Sequence, residues 1–573
     1  MKKGKMAEIS KNSIVTVTVE DINNLGYGVG KYNGITVFIS GAVDGDICQV
    51  KIIKVNKSYC VGIIHEMIEP SKHRITPICP HHKSCGGCAY QSISYEHELE
   101  LKTNYVRYAF KKAGIADAVI NATVSDRRIC GYRNKAQYPV TGNEQDYIIG
   151  FYATKSHRVI DASGCTLQPE VFGSVCSKIK EFLLLHKIPT YDEITKKGLI
   201  RHIYIRCSHD EKSLMLCLVI NGRTTKKDDA LVSFVRKNLP EISTLLLNIN
   251  TEDTNVVLGD EYICLFGDGY IKDEMCGVSL EIAPAAFYQV NHGMAERLYK
   301  KAAELAGLTG KETVYDLYCG IGSIGLSMHK EASRIVGVDI EPSAIQCAKR
   351  NASACGIENA QFFCADASAS DDLFESAGIY DSLEESVVIF DPPRKGSSEK
   401  LIDYVCEKHP KRVVYISCNP DTLARDCVYF KKNGYTMSDV TPFDLFPRTG
   451  HVESVVCLMR TENVHNMKLD PSPFSMLKSG EKTIELRLYD EKRRQINEGD
   501  RIVFKNSETG ELLSKKVVGL YRFKSFEELY SILPLLRCGY TKENVDKATA
   551  SDMQKYYTEE DETKYGVVGI ELL

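Results

Sequence analysis

From Glu312 to Leu326 the chain reads as a strand, a glycine turn and a helix, and apolar runs of the same form recur downstream. Arg334-Ile335-Val336-Gly337-Val338 ends in Asp339, and Phe362-Phe363-Cys364-Ala365 ends in Asp366. Val388-Ile389-Phe390 empties into Asp391-Pro392-Pro393-Arg394, and Val413-Val414-Tyr415-Ile416 into Ser417-Cys418-Asn419-Pro420. Strands that alternate with helices predict a Rossmann-like α/β sheet. Such open sheets hold ligands and reacting groups at the carboxyl ends of their strands.

The glycine turn contains Gly320-x-Gly322-x-x-Gly325, which either a nicotinamide cofactor or S-adenosylmethionine would want. Asp339 is placed to accept hydrogen bonds from ribose hydroxyls, and Asp366 lies where an adenine edge would lie. The acid-Pro-Pro turn at Asp391 is more typical of nucleic-acid methyltransferases than of dehydrogenases, and carboxylates serve a cationic sulfonium well. S-adenosylmethionine is the expected cofactor. An isolated cysteine is ordinarily a small buried apolar residue. Cys418 differs in sitting past a strand end, where it is a candidate nucleophile, and Glu453 in His451-Val452-Glu453 is a candidate base. Gln289, before the predicted helix from Gly293 to Ala306, offers an amide to a substrate edge.

A length of 573 residues allows three or four domains. A net charge of -4 gives no global sign of nucleic-acid affinity, so any such surface must be local. With 21 cysteines and no apolar leader after Met1-Lys2-Lys3, the cytoplasm is the expected compartment. No run is long enough to span a bilayer, and nothing points to an obligate protein partner.

Short β-rich runs divided by glycines between Lys11 and Glu69 predict a small closed barrel. Cys79, Cys85 and Cys88 follow, with five and then two residues between them, and Cys165 is a remote fourth thiol. Four thiols suit a 4Fe-4S cluster, with zinc as the rival, since His81 and His82 lie among them. Arg127-Arg128-Ile129-Cys130-Gly131-Tyr132-Arg133-Asn134-Lys135-Ala136-Gln137-Tyr138 mixes cations with aromatics in the manner of an RNA-contacting surface. Runs from Phe151 to about Glu281 predict an antiparallel sheet with helices.

Leu25-Gly26-Tyr27-Gly28-Val29-Gly30, Val37-Phe38-Ile39-Ser40-Gly41 and Asp44-Gly45-Asp46 resemble the TRAM domain, an OB-like RNA-binding barrel. Residues from about 11 to 458 resemble the RNA uracil carbon-5 methyltransferases, within them the TRAM-bearing, iron-sulfur 23S ribosomal RNA branch. The four cysteines, Phe287-Tyr288-Gln289-Val290-Asn291, Asp316-Leu317-Tyr318-Cys319-Gly320, Asp391-Pro392-Pro393-Arg394, Ser417-Cys418-Asn419-Pro420 and His451-Val452-Glu453 carry the resemblance. It implies that Gln289, Tyr318, Ser323, Asp339 and Asp391 line the methyl-donor site, that Cys418 is the nucleophile and that Glu453 is the base. Ser323 and Asp339 stand where the family commonly carries Asn and Glu, which shortens their reach. After Arg460, the segments from Phe474 to Arg487 and from Gly499 to Phe504 resemble the ASCH domain, a PUA-like barrel. The resemblance implies either a cleft that holds RNA through Lys482, Thr483, Glu485 and Arg487 or, as in some relatives, hydrolysis of small modified nucleosides by Lys and Thr.

The expected architecture is therefore a multidomain α/β chain. It has a TRAM OB-like barrel at 11–70, a central α+β domain with the iron-sulfur cluster at 71–290, a Rossmann-like class I methyltransferase domain at 291–460 and a PUA-like barrel at 465–573. The expected reaction is methylation of uracil carbon 5 in RNA, 23S rRNA first. The alternatives are a tRNA uracil-5 enzyme, an RNA cytosine-5 enzyme, or a non-catalytic RNA-binding or redox-sensing module.

Overall fold

The computed structural model describes residues 9–366, 385–461 and 463–573. The chain divides into two compact units, Met1–Met459 and Arg460–Leu573. Among the described residues, no helix is long and apolar enough to cross a membrane.

The first unit opens with the expected closed barrel of five strands, Ile14–Ile22, Tyr27–Tyr32, Ile35–Ser40, Ile47–Val55 and Tyr59–Glu69. Alternation builds it: Val15, Val17 and Val19 point inward and are buried, while the residues between them face solvent. Gly30 is required where the opposite strand comes close, since a Cβ there would lie 2.4 Å from Val17 Cγ1.

A seven-stranded sheet follows, in the order Glu261–Phe266, Ile242–Ile249, Leu214–Ile220, Ile200–Cys207, Lys135–Asn143, Asp146–Tyr152, Val159–Asp161. Its pairs are antiparallel as expected, except that Leu214–Ile220 and Ile242–Ile249 run parallel. Helices Glu170–His186 and Asp228–Asn238 cover one face. The other face packs through Tyr204, Met215 and Cys217 against the Ile271–Met275 and Val278–Ile282 hairpin and the helix His292–Ala306. Covered on both sides, Leu214–Ile220 is buried at every residue and has no polar face to alternate.

The basic stretch from Arg127 to Tyr138 corrects the sequence reading. Its cations and aromatics alternate because the chain is entering a strand of this sheet: Tyr132 and Tyr138 are buried, while Arg133 and Lys135 are half-buried on the opposite face. Neither tyrosine is open to stack on a base.

The third sheet is the doubly wound one. Ala360–Cys364, Arg334–Asp339, Thr313–Leu317, Ser386–Phe390 and Arg412–Ser417 lie side by side in parallel, and Glu453–Arg460 joins the last of them antiparallel. Thr313–Leu317 has Arg334–Asp339 on one side and Ser386–Phe390 on the other, so the strand order reverses beside it and opens a crevice at the carboxyl ends.

The second unit is a five-stranded sheet in the order Val464–Leu469, Arg501–Asn506, Leu512–Phe523, Val567–Leu572, Ile484–Leu488. It is half a barrel where a PUA-like barrel is expected. The long strand Leu512–Phe523 pairs with Arg501–Asn506 through its first half and with Val567–Leu572 through its second. A register shift between Val517 and Gly519 bends it, and Val464–Leu469 and Ile484–Leu488 remain at the two edges of the sheet.

Candidate active site

The thiol turn is built from its flanks. Arg412–Ser417 is a buried strand, Asn419 caps the helix Pro420–Lys432 by accepting from the Asp421 N–H at 3.1 Å, and Pro420 supplies the first helical residue. Cys418 is left between strand and helix. Asn419 Nδ2 also donates to the Arg394 carbonyl at 2.9 Å, tying this turn to the one that follows Asp391. Antiparallel pairing sets Ser417 against Ser454, which brings the ends of the two strands that carry Cys418 and Glu453 side by side.

The electrostatics agree with that register. Burial, then the charges of Glu453 and Asp391, push the Cys418 thiol up to about 11, with Arg394 opposing. Burial and then Asp391 push Glu453 up to about 8, again with Arg394 opposing. Burial and then Asp316 push Asp391 up to about 7. Acids so displaced favour their neutral forms until a cation arrives, and clusters of this kind mark functional sites. Arg394 also approaches His451, with Nη2 3.5 Å from Nε2, and burial and then Arg394 hold that imidazole below its ordinary value.

The crevice beside this cluster carries the other predicted residues. Tyr318 takes a left-handed backbone (φ 77°) that a tyrosine adopts at a cost, and its phenol lies close enough to Ser397 and Asp366 to be influenced by both. Gly320, also left-handed, has open space where a Cβ would stand, and its N–H donates to Asp339 Oδ2 at 2.9 Å. Asp339 Oδ1 accepts from the Glu341 N–H at 2.9 Å. Ser323 Oγ lies 3.4 Å from the Tyr299 hydroxyl, which is itself influenced by Asp391 and Asp316. Asp366 is exposed at the rim. Gln289 is buried in a loop held by the central sheet, where Asn134 Nδ2 donates to its carbonyl at 2.9 Å and the Arg206 guanidinium donates to the carbonyls of Ala283 and Ala286.

Sequence reasoning quoted Asp316 in its motif without giving it a role, although it stands next to last in the strand before the glycine turn. It is fully buried, its Oδ2 accepts from the Gly325 N–H at 2.9 Å, and its Oδ1 has no partner among the described residues. Burial pushes it up to about 7. An orphaned carboxylate oxygen behind an open glycine turn fits a polar, cationic ligand such as S-adenosylmethionine.

A buried charge network holds the loop between Phe443 and Glu453. Lys102 Nζ donates to Glu98 Oε1 at 2.9 Å, to Asp444 Oδ1 at 2.6 Å and to the Phe446 carbonyl at 3.2 Å, and the Tyr95 hydroxyl donates to Asp444 Oδ2 at 2.8 Å. The Arg448 N–H donates to Glu98 Oε1 at 2.7 Å, and its carbonyl accepts from the N–H groups of Ala89 and Tyr90. Tyr132 donates to the Pro447 carbonyl at 3.0 Å. The segment after Cys88 and the helix Tyr95–Lys112 thus set the path of the chain into Glu453. Glu98 and Lys102 stand four residues apart on one helix, whereas their partner Asp444 lies far along the chain.

Cys79, Cys85, Cys88 and Cys165 line one cavity of about 690 Å3, together with His81, His82, Arg133 and Lys135. Burial is the main force raising Cys88, and Cys165, Cys85 and Cys79 each add to it, which places the four thiols around one centre. Among the described residues they do not form a group of three whose donor atoms all lie within 4.8 Å.

The family described as tRNA (Uracil-5-)-methyltransferase matches residues 250–461, the TRAM domain residues 10–64 and the ASCH domain residues 467–573. A relative from Clostridium acetobutylicum, named as an uncharacterized RNA methyltransferase, is 37% identical over 461 residues, covering 80% of this chain and 99% of its own. One of the same description from Halalkalibacterium halodurans is 38% identical over 455 residues, covering 79% of this chain and 98% of its own. Among solved structures, Pyrococcus abyssi tRNA (uracil-54, C5)-methyltransferase in complex with S-adenosyl-L-homocysteine is similar with a TM-score of 0.62 and 24% identity, covering 78% of this chain and 99% of that one.

Proposed function

From the premise that this chain belongs to the uracil-5 RNA methyltransferase family, we propose that it methylates carbon 5 of a uracil in 23S rRNA by way of a covalent bond from Cys418 to the ring. The observation that carries the reading is the cluster at the strand ends, where Glu453 acts on the Cys418 thiol and Asp391 and Arg394 bear on both.

Carbon 5 of uracil is too weak a nucleophile to be alkylated unaided, so covalent catalysis divides the problem. The Cys418 thiolate, which the Arg394 guanidinium stabilises, adds at carbon 6 and moves the ring's π pair toward carbon 5. Asp339, Tyr318, Ser323, Asp366, Gln289 and the carboxylates Asp316 and Asp391 would hold S-adenosylmethionine, which would supply the electrophilic methyl group to carbon 5 and leave as S-adenosylhomocysteine. Glu453 takes the proton from carbon 5, the carbon-sulfur bond breaks, and the thiolate is restored. A carboxylate raised to about 8 is well matched to accept that proton near neutrality. The target base has to leave its stack, which favours loops and single strands.

The four cysteines fit a 4Fe-4S cluster better than a single zinc ion. Zinc gathers sulfurs at about 2.3 Å from one point, whereas among the described residues no three of these thiols have donor atoms all within 4.8 Å of one another. We assign the C-terminal domain to RNA docking, through a cleft where buried Glu485 pairs with Lys482 at 2.9 Å and with Arg487 at 2.8 Å.

A tRNA target is the second reading, favoured by the description of the matching family and by the Pyrococcus neighbour. Nucleoside analysis of 23S rRNA and tRNA from cells lacking the protein separates the two. Loss of 5-methyluridine from rRNA alone supports the first reading, loss from tRNA alone the second, and loss from neither defeats both.

A further inference from the structure

Given the reading of the four cysteines as a 4Fe-4S site, we propose that Arg133 and Lys135 are positioning residues for that centre, whose cations balance its negative charge and raise the potential at which it accepts an electron. Two cations of the run from Arg127 to Tyr138 thereby gain a partner that the rest of the fold does not supply.

The entry into the strand Lys135–Asn143 separates two faces. Side chains alternate along extended backbone, so Arg133 and Lys135 share one face and Asn134 takes the other. Both cations line the cavity that the four cysteines also line. Asn134 is buried and holds the loop that carries Gln289, its N–H donating to the Val290 carbonyl at 2.8 Å. The backbone also ties this segment to the turn after Cys165. The Arg133 N–H donates to the Leu167 carbonyl at 3.1 Å, and the Gly131 N–H to the Thr166 carbonyl at 2.9 Å. Arg133 lies near enough to Cys165 for its charge to act on that sulfur.

The protein itself leaves these charges unbalanced. Both side chains are half-buried, and neither forms an ion pair with a carboxylate among the described residues. The charges that act on Lys135 are Arg206 and Arg133, both of its own sign. Asp161, the one carboxylate among the described residues lining the cavity, is exposed and accepts from Ser163 Oγ at 3.4 Å. Like charges gathered in a partly dry cavity are costly unless an anion joins them. Four thiolates leave a 4Fe-4S centre with net negative charge, and its potential depends on that charge and on its surroundings. Reduction adds one more negative charge, so neighbouring cations favour the reduced form.

The span of such a cavity is about 10 Å, and at an effective dielectric near 20 one unit charge at that distance moves the ratio of reduced to oxidised centres about tenfold. For a one-electron couple that is about 59 mV. The test reconstitutes the full-length protein and its Arg133→Gln, Lys135→Met and Lys135→Arg variants with iron and sulfide in the absence of oxygen. Iron per chain is measured, and reduction is followed by electron paramagnetic resonance against applied potential. The midpoints of Arg133→Gln and Lys135→Met should each fall by about 59 mV, whereas Lys135→Arg keeps the unmodified value. A packing role alone would leave every midpoint in place. Iron-loaded Arg133→Gln and Lys135→Met proteins whose midpoints stay or rise overturn the assignment. If Lys135→Met fails to fold, Arg133→Gln carries the same prediction from its own position. Unmodified protein that takes up no iron overturns the cluster reading instead, and this assignment with it.

Discussion

Replacing Glu453 by Gln removes the charge that acts on Cys418 beside the Ser417–Ser454 pair while leaving the shape and burial of the pocket in place. Two full charges roughly 5–8 Å apart interact by about 2–3 kcal/mol at an effective dielectric near 20. Burial, the largest cause of the raised thiol, is untouched by the change, so the value falls from about 11 but stays above the ordinary 9.0. At pH 9 the thiolate fraction therefore rises roughly tenfold and by no more than about fiftyfold, since it is about one half when the value equals the pH. The assay is the alkylation rate of Cys418 by iodoacetamide, followed on its peptide by mass spectrometry, with exposed Cys130 and Cys264 as internal references. The same variant loses turnover and accumulates methylated covalent adduct, because the carbon-5 proton has no acceptor. Alkylation as slow as, or slower than, in the unmodified protein would refute the action of Glu453 on that thiol. In the unmodified protein the single-turnover rate rises with pH through about 8, since Glu453 accepts a proton only when ionised.

Lys102→Met strands the buried carboxylates of Glu98 and Asp444, and urea unfolding should show a loss of about 3–5 kcal/mol. A loss below about 1 kcal/mol would show that the network does not hold the loop before Glu453. Asp339→Asn weakens binding of S-adenosylhomocysteine by about tenfold to a hundredfold in calorimetry, the worth of a charge-assisted hydrogen bond, and unchanged affinity removes Asp339 from the donor site. Cys88→Ser lowers the iron bound after anaerobic reconstitution from about four atoms per chain, and an unmodified protein that takes up a single zinc there and no iron contradicts the cluster.

Much of the candidate site was legible because a doubly wound sheet puts its chemistry at strand ends, and strand ends are where an apolar run meets Asp339, Asp391 or Cys418. The closed barrel was legible for a similar reason, since alternating valines between glycines leave few other ways to bury one face. What escaped depends on partners far apart in the chain. Lys102 reads as a solvated helix cation until Asp444 and Phe446 are folded onto it. The segment from Arg127 to Tyr138 misled because period-two alternation looks the same whether the aromatic face meets RNA or a protein core, and Tyr138 lies in the core. The C-terminal sheet failed to close because a bend in one long strand, which composition does not reveal, decides where its edges lie.

A transient bond between the Cys418 sulfur and a pyrimidine ring is the step on which the proposed reaction depends. RNA bearing 5-fluorouridine at the target blocks the final proton removal, so incubation with the protein and S-adenosylmethionine should give a stable protein–RNA complex that resists denaturing gels and maps to the Cys418 peptide. A Cys418→Ala variant should give none. Efficient methylation of the ordinary transcript with no trapped complex from its fluorinated counterpart, or a complex that persists in the variant, would contradict that bond.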